Sequence, residues 1–350
     1  MMNISPTHAY LRTMGRVNNT SEGTQIWVFP YTQTRLRCTG TQIGVRLINH
    51  HHYGNTYIGV IIDGMESKVR VESADTEIDI TLAQDLPDIE HDIIIFKRQD
   101  GQHHLEIISF LLDDTAKLLP CPELPNRKIE IFGDSISCGE RNEALLYSGQ
   151  PDPEVDLSAY SNAWWSYGAI AARELNAQLH DIAQGGIALY DGIGWFDEPD
   201  YMGMESVWNS IQYNRNLGSY VPWNTQQYEP NVVLIAIGQN DSHPADFMAC
   251  DYNGDLSAQW RERYAQFLRN IREAYPHAHI ICATSIMTHN RAWDRAIADV
   301  IKTLDDSHIS QLLYTRNGSG TPGHPRIAEH KSMARELVEH INALGSDIWN

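Results

Sequence analysis

The chain has 350 residues, 42% of them hydrophobic and 20% charged, and 26 Lys and Arg stand against 45 Asp and Glu for a formal net charge of −19. Such a surface repels phosphate backbones and anionic lipid headgroups, so it argues against nucleic acid and membrane partners and favours a neutral substrate. The length suits two domains better than one core.

The opening "MMNISPTHAYLRTMG" has no basic stretch ahead of an apolar one, so no secretory leader is expected. The five cysteines are scattered, odd in number and free of any CxxC pattern. They read as reduced thiols, and the expected location is cytoplasmic; a chain whose leader had been removed would open the same way. No apolar run reaches membrane-spanning length.

From about Gly23 to Leu112 the hydrophobic period is two. "IGVRL" puts Ile43, Val45 and Leu47 on one face, and "YIGVIIDGM", "VRVES", "IDITL", "HDIIIFKRQDG" and "LEIISFLL" follow at short spacing. Asp63-Gly64 and Asp100-Gly101 are turn signals. These features predict a β-sandwich of jelly-roll type over 1–115. A proline-rich linker is expected over 116–127 and an α/β domain over 128–350.

In that second part, apolar strands alternate with helices. "KIEIF" precedes a predicted helix near "NAWWSYGAIAARELNAQ". "NVVLIAIG" precedes one near "LSAQWRERYAQFLRNIREAY", and "HIICATSI" one near "RAWDRAIADVIKTL". The last predicted helix, "RIAEHKSMARELVEHINAL", aligns Ile327, Ala334, Leu337 and Ile341. The alternation implies a parallel sheet between two layers of helices. Ligands of such sheets bind beyond the carboxyl ends of the strands. The stretches 141–160 and 190–230 read as long loops, and loops of that length are usually functional or mobile.

Ser135 stands just past the first of these strands, in Gly133-Asp134-Ser135-Ile136-Ser137. Gly133 permits a sharp turn, and a helix starting at the serine would favour negative charge there. Taken alone, the serine reads more readily as a helix N-cap than as a catalytic group. Two other strand or helix ends bear on the choice. "IAIGQND" ends its strand with Gly238, Asn240 and Asp241, and "GTPGHPRIAEH" puts His324 at the mouth of the last helix. A hydroxyl, a side-chain amide and an imidazole at element ends of one sheet are the parts that nucleophilic acyl transfer needs.

Gly133-Asp134-Ser135, the glycines of "AQGGIA", Gly238-Gln239-Asn240-Asp241 and His324-Pro325 resemble, in that order, the four blocks of the SGNH (GDSL-type) hydrolases. With a β-sandwich ahead of "GDSISCG", the chain resembles carbohydrate esterase family 2. The resemblance implies a three-layer α/β/α hydrolase domain and an esterase without cofactor or metal. The implied substrates are acetylated xylan, manno- or gluco-oligosaccharides. It implies Ser135 as nucleophile and His324 as general base and acid. The oxyanion hole would comprise the Ser135 and Gly186 N–H groups and the Asn240 amide, with Gly185 as the alternative to Gly186.

The sequence departs from the family pattern at the aspartate expected two or three residues before the histidine, where Pro322 and Thr321 stand. A distant carboxylate or a main-chain carbonyl must therefore orient His324. A Ser135–His324 dyad with a main-chain acceptor is the expectation, with no negative charge beside the imidazolium.

Tyr190, Trp195, Trp208, Trp223 and Trp293 lie near strand ends, where sugar C–H faces could stack on them. Tyr190 and then Trp293 are the expected sugar contacts; Trp164-Trp165 reads as core. His50-His51-His52 make a poor metal set, because neighbours on a strand face opposite ways. Asp251–Asp255 lacks the distal glutamate of a calcium loop. Cys138 reads as a small core residue, and His243 is open between cleft and loop. The rival functions are a lipid or thioester hydrolase of the same fold and a non-catalytic carbohydrate-binding protein. The sequence carries no sign of oligomeric state.

Overall fold

The computed structural model describes residues 1–72 and 74–350. The chain divides into two compact units. One comprises Met1–Leu124 with Ile211–Pro222, the other Pro125–Ser210 with Trp223–Asn350.

The first unit contains two antiparallel sheets of six strands each. Inward-facing residues of alternating strands fill the space between them. Val45, Leu47, Ile58, Val60, Ile93, Ile95, Leu105 and Ile107 are all wholly buried in one apolar cluster. Alternation of this kind is what a sandwich requires. Asp63 and Gly64 both take left-handed backbone angles, φ 52° and 84°, and close a two-residue hairpin in which Ile62 faces Met65. Asp100-Gly101 is different. It follows His91–Lys97, which pairs in one sheet, and precedes His103–Leu112, which pairs in the other, so it carries the chain between sheets. The segment Ile211–Pro222 belongs to this unit: Tyr213 stacks on Phe29 at 5.5 Å between ring centroids, and the Asn214 side chain donates to the Gly101 carbonyl at 2.8 Å.

The second unit is built on five parallel strands: β1 (Arg127–Gly133), β2 (Ala177–Ala183), β3 (Val232–Ala236), β4 (His279–Ala283) and β5 (Ile309–Leu312). Their order across the sheet is 2-1-3-4-5. Four longer helices accompany them: α1 (Tyr167–Glu174), α2 (Asp255–Ala274), α3 (Arg291–Leu304) and α4 (Ile327–Ala343). α1 packs with α4, and α2 with α3. Right-handed crossovers put these two pairs on opposite faces, because the order runs one way from β1 to β2 and the other way from β3 to β5. The topological switch therefore falls between β1 and β3, where open parallel sheets form their ligand crevice.

Several sequence expectations are corrected. β2 was not expected; Gln178, His180 and Asp181 interrupt its apolar run, yet all but Gln178 are buried. β5 was missed because it has only four residues, of which only Ile309 and Leu312 are buried. The helix predicted over "NAWWSYGAIAARELNAQ" covers only its middle, and Trp164 is half-buried beneath the Arg173 guanidinium, 4.0 Å from its ring centroid, instead of in the core. No regular helix follows Ser135. Residues 135–143 form successive turns, closed by Cys138 N–H to Asp134 O and Glu140 N–H to Ser135 O.

Candidate active site

The parallel register brings the predicted loops to one edge. Gly133 of β1 stands level with Ala183 of β2 and Ala236 of β3. Ser135, Gly186 and Asn240 follow these three residues within four positions, so all three emerge at the switch point. Gly133 is required here: a Cβ on it would lie 2.1 Å from Ser137 Oγ. Asp134, not Ser135, makes the local turn, its Oδ1 accepting the Ile136 N–H at 3.0 Å. Burial pushes the Asp134 carboxyl up to about 7.

Among the described residues no capping bond reaches Ser135 Oγ, which meets His324 Nε2 at 2.9 Å. The other ring nitrogen, Nδ1, lies 2.5 Å from Asp152 Oδ2, which also accepts the His324 backbone N–H at 3.1 Å. The expected main-chain acceptor is thus corrected: a carboxylate from the 141–160 loop orients the imidazole. Burial by itself would raise the Asp152 carboxyl. Hydrogen bonds from His324 and Arg326 outweigh that and hold it well below the usual carboxylate range. An ionised Asp152 accepts the Nδ1 proton, so Nε2 presents its lone pair to the serine hydroxyl.

Arg326 holds Asp152 in place. Its guanidinium, almost wholly buried, pairs with Asp152 Oδ1 and donates to the carbonyls of Arg141 at 2.9 Å and Tyr147 at 3.3 Å. Arg141 reaches the same aspartate, with Nη1 3.4 Å from Oδ2. Gly323 allows the approach, because a Cβ there would lie 2.4 Å from the Gln150 carbonyl oxygen.

The opposite side of the crevice is braced by polar side chains. Asn240 Nδ2 donates to the Ile187 carbonyl at 3.0 Å, which leaves its second amide hydrogen for the site. Asp241 Oδ1 accepts the Leu189 N–H at 3.0 Å and the Trp260 indole N–H at 2.7 Å, tying the β2 loop to α2. Burial pushes the Asp241 carboxyl up to about 6. Gly186 takes φ 76°, a conformation that favours glycine, and its carbonyl accepts the N–H groups of Trp195 and Phe196. Gly185, the alternative, accepts from the Gln184 side chain at 3.1 Å.

Neither expected sugar contact is placed to meet a ligand. Tyr190 is buried, with the Arg263 guanidinium over its ring at 4.6 Å. Trp293 is 1% exposed, packs edge-on against Trp260 and Phe247, and donates its indole N–H to Asp246 at 3.0 Å. Both belong to the core, the usual fate of large aromatics. Trp195 is the exposed one, at 61%. Its ring stacks on His243 with centroids 3.4 Å apart, and His243 Nδ1 bonds the Gly194 carbonyl at 2.7 Å. Trp195 was grouped with the other aromatics by position; its exposure had no sequence signal. Among the described residues no three His, Cys, Asp or Glu side chains converge as metal ligands. His50 instead meets Glu106 at 3.2 Å, and Gly254 leads into α2.

The chain is similar to known proteins along nearly its whole length. Residues 131–310 match the GDSL-like Lipase/Acylhydrolase family, and residues 13–122 match the Carbohydrate esterase 2 N-terminal domain. The chain is 22% identical over 346 residues to an acetylxylan esterase/glucomannan deacetylase of Cellvibrio japonicus, covering 97% of this chain and 90% of that one. It is 30% identical over 305 residues to the cellulase/esterase CelE of Acetivibrio thermocellus, covering 83% of this chain but only 35% of that longer protein. A family two carbohydrate esterase from Clostridium thermocellum, solved with cellohexaose, superposes with a TM-score of 0.79 at 25% identity, covering 97% of this chain and all of that one. With the Ser135, Asn240 and His324 loops gathered at the switch point, and a β-sandwich preceding them in the sequence, the chain belongs to the GDSL-like lipase/acylhydrolase family as a carbohydrate esterase of the family 2 type.

Proposed function

We propose that this chain removes acetyl groups from the hydroxyls of acetylated oligo- or polysaccharides of the xylan, mannan or glucan type. The observation that carries the reading is the continuous relay from Ser135 Oγ through His324 to Asp152. Ser135 Oγ attacks the acetyl carbon while His324 Nε2 takes its proton. The carbonyl oxygen becomes an oxyanion, held by the Ser135 and Gly186 N–H groups and the Asn240 amide. The tetrahedral intermediate collapses, the C–O bond to the sugar breaks, and the sugar oxygen takes the proton from Nε2. Water repeats the sequence against the acetyl-serine and releases acetate.

The saccharide part of the reading is supported by Trp195, whose exposed indole leaves the same loop as Gly186 and is backed by His243. A flat, rigid aromatic face at the mouth of a site suits a pyranose ring. The acidic surface suits a neutral polymer. All five cysteines carry free thiols, which supports a reducing, cytoplasmic setting.

The test compares wild type and Ser135→Ala on p-nitrophenyl acetate and on acetylated xylan. Turnover by wild type, lost in the variant, is expected on both. Equal slow turnover by the two proteins would remove the hydrolase reading, and turnover of the small ester alone would remove the saccharide reading.

A further inference from the structure

Beside the relay stands a second carboxylate that the acyl-transfer chemistry leaves unused. Glu140 Oε2 lies 3.8 Å from His324 Nε2, the nitrogen that passes the proton to the departing alcohol. This is too far for a hydrogen bond but close enough for both atoms to face one ligand. Glu140 is held in place from two sides. Its backbone N–H donates to the Ser135 carbonyl at 2.9 Å, and its Oε1 pairs with Arg141 Nε at 3.0 Å. Among the described residues no hydrogen bond reaches Oε2. The side chain is 26% exposed, so a substrate can reach it.

The backbone here carries strain. Arg141 sits at φ 56°, a left-handed angle that costs a residue with a side chain. Its N–H is held by Ser161 Oγ at 3.1 Å. In that conformation one guanidinium touches both carboxylates around the histidine, Glu140 at 3.0 Å and Asp152 at 3.4 Å. Asp152 spends its oxygens on His324 and Arg326. Glu140 alone keeps an acceptor directed at the proton-donating side.

We infer that Glu140 is a specificity-determining residue, whose Oε2 accepts a hydrogen bond from a free hydroxyl next to the acetylated oxygen on the leaving sugar. The geometry closes. An alcohol oxygen within hydrogen-bond reach of Nε2 has its neighbouring gauche oxygen about 3 Å away, and a further hydrogen bond of about 2.7 Å spans from there to Oε2. The 3.8 Å between Nε2 and Oε2 is the fourth side of that quadrilateral. The acceptor carries charge, so the bond is of the stronger kind. The same charge disfavours leaving groups that carry a carboxylate at that position. This inference rests on the saccharide esterase reading above and adds which feature of the alcohol is recognised.

The test uses two matched ester pairs: trans-cyclohexane-1,2-diol monoacetate against cyclohexyl acetate, and methyl xyloside 2-O-acetate against its 3-deoxy analogue. For wild type, kcat/KM should favour the hydroxylated member of at least one pair about ten- to hundredfold. In Glu140→Ala that ratio should fall to within about threefold, with Glu140→Gln between the two, because the charge is lost and an acceptor kept. A wild-type enzyme that hydrolyses these esters without preferring the hydroxyl overturns the inference with no variant needed. A ratio retained in Glu140→Ala also overturns it. No turnover of any of the four esters by wild type would instead count against the esterase reading itself.

Discussion

Asp152 and His324 are 172 positions apart in the chain, and their side chains meet at 2.5 Å. The contact makes a triad where the residues before the histidine, Thr321, Pro322 and Gly323, offer no carboxylate. It depends on Arg326, which anchors both the aspartate and the carbonyls of the loop that brings it. The carboxylate comes from the 141–160 loop, and the imidazole stands just ahead of the last helix, Ile327–Ala343.

Asp152→Asn tests that assignment. The amide cannot accept the Nδ1 proton as strongly and can donate in its place, which favours the wrong imidazole tautomer. We expect kcat to fall about 10³- to 10⁴-fold with little change in KM. A variant retaining more than a tenth of wild-type kcat would show that the aspartate is not the orienting group.

Asn240→Ala removes the proposed oxyanion donor and the bond that ties its loop to Ile187. The expected loss is about 10²- to 10³-fold in kcat, near 3 kcal/mol. Steady-state kinetics on p-nitrophenyl acetate reads it, and an effect confined to KM would contradict the role.

Gly323→Ala forces a Cβ to within 2.4 Å of the Gln150 carbonyl oxygen and 3.1 Å of the Asp152 nitrogen. The loop must retreat from the histidine. Expected is a drop in kcat of at least tenfold with the circular dichroism spectrum unchanged, since effects of misplaced catalytic groups of this size follow shifts of about 1 Å. Full activity would show that the loop yields without moving Asp152.

Asp181 concerns stability. It lies in β2, fully buried, and neither carboxyl oxygen has a hydrogen-bond partner among the described residues. Burial pushes its carboxyl well above the usual range. A raised folded-state value means that the native state holds its proton longer than the unfolded chain, whose carboxyl titrates at about 3.9. The associated stability is present below that value and is lost as pH rises through the folded-state one. Asp181→Asn cannot ionise. Its stability relative to wild type should therefore grow between pH 4 and pH 8 in urea unfolding, and a gap constant with pH would contradict this.

Much of the second unit was legible because its signals are local. "VVLIA" is wholly buried on both faces and reads as such, and Arg291–Leu304 begins at its Asn290 cap as its periodicity indicates. β2 was hidden because His180 and Asp181 are buried polar residues, which a hydropathy pattern counts as exposed. The turns after Ser135 were read as a helix because small residues after a Gly-Asp-Ser junction suit both.

Tyr190 and Trp293 were chosen as sugar contacts for their nearness to strand ends, and both proved to be packed inside. Chain position places a residue near an edge but does not say which way its ring points. Trp195 faces out because its backbone is tied to Gly186 within its own loop and its ring to His243 on another.

The order of strands and turns, and the residue types that acyl transfer needs, follow from short-range patterns of hydrophobicity and turn chemistry, and these can be read one segment at a time. Which carboxylate serves His324, and which aromatic ring meets solvent, were settled only when the parallel strands set distant loops side by side. A hydrogen bond between residues far apart in the chain depends on ångström-scale placement, and no local pattern encodes that.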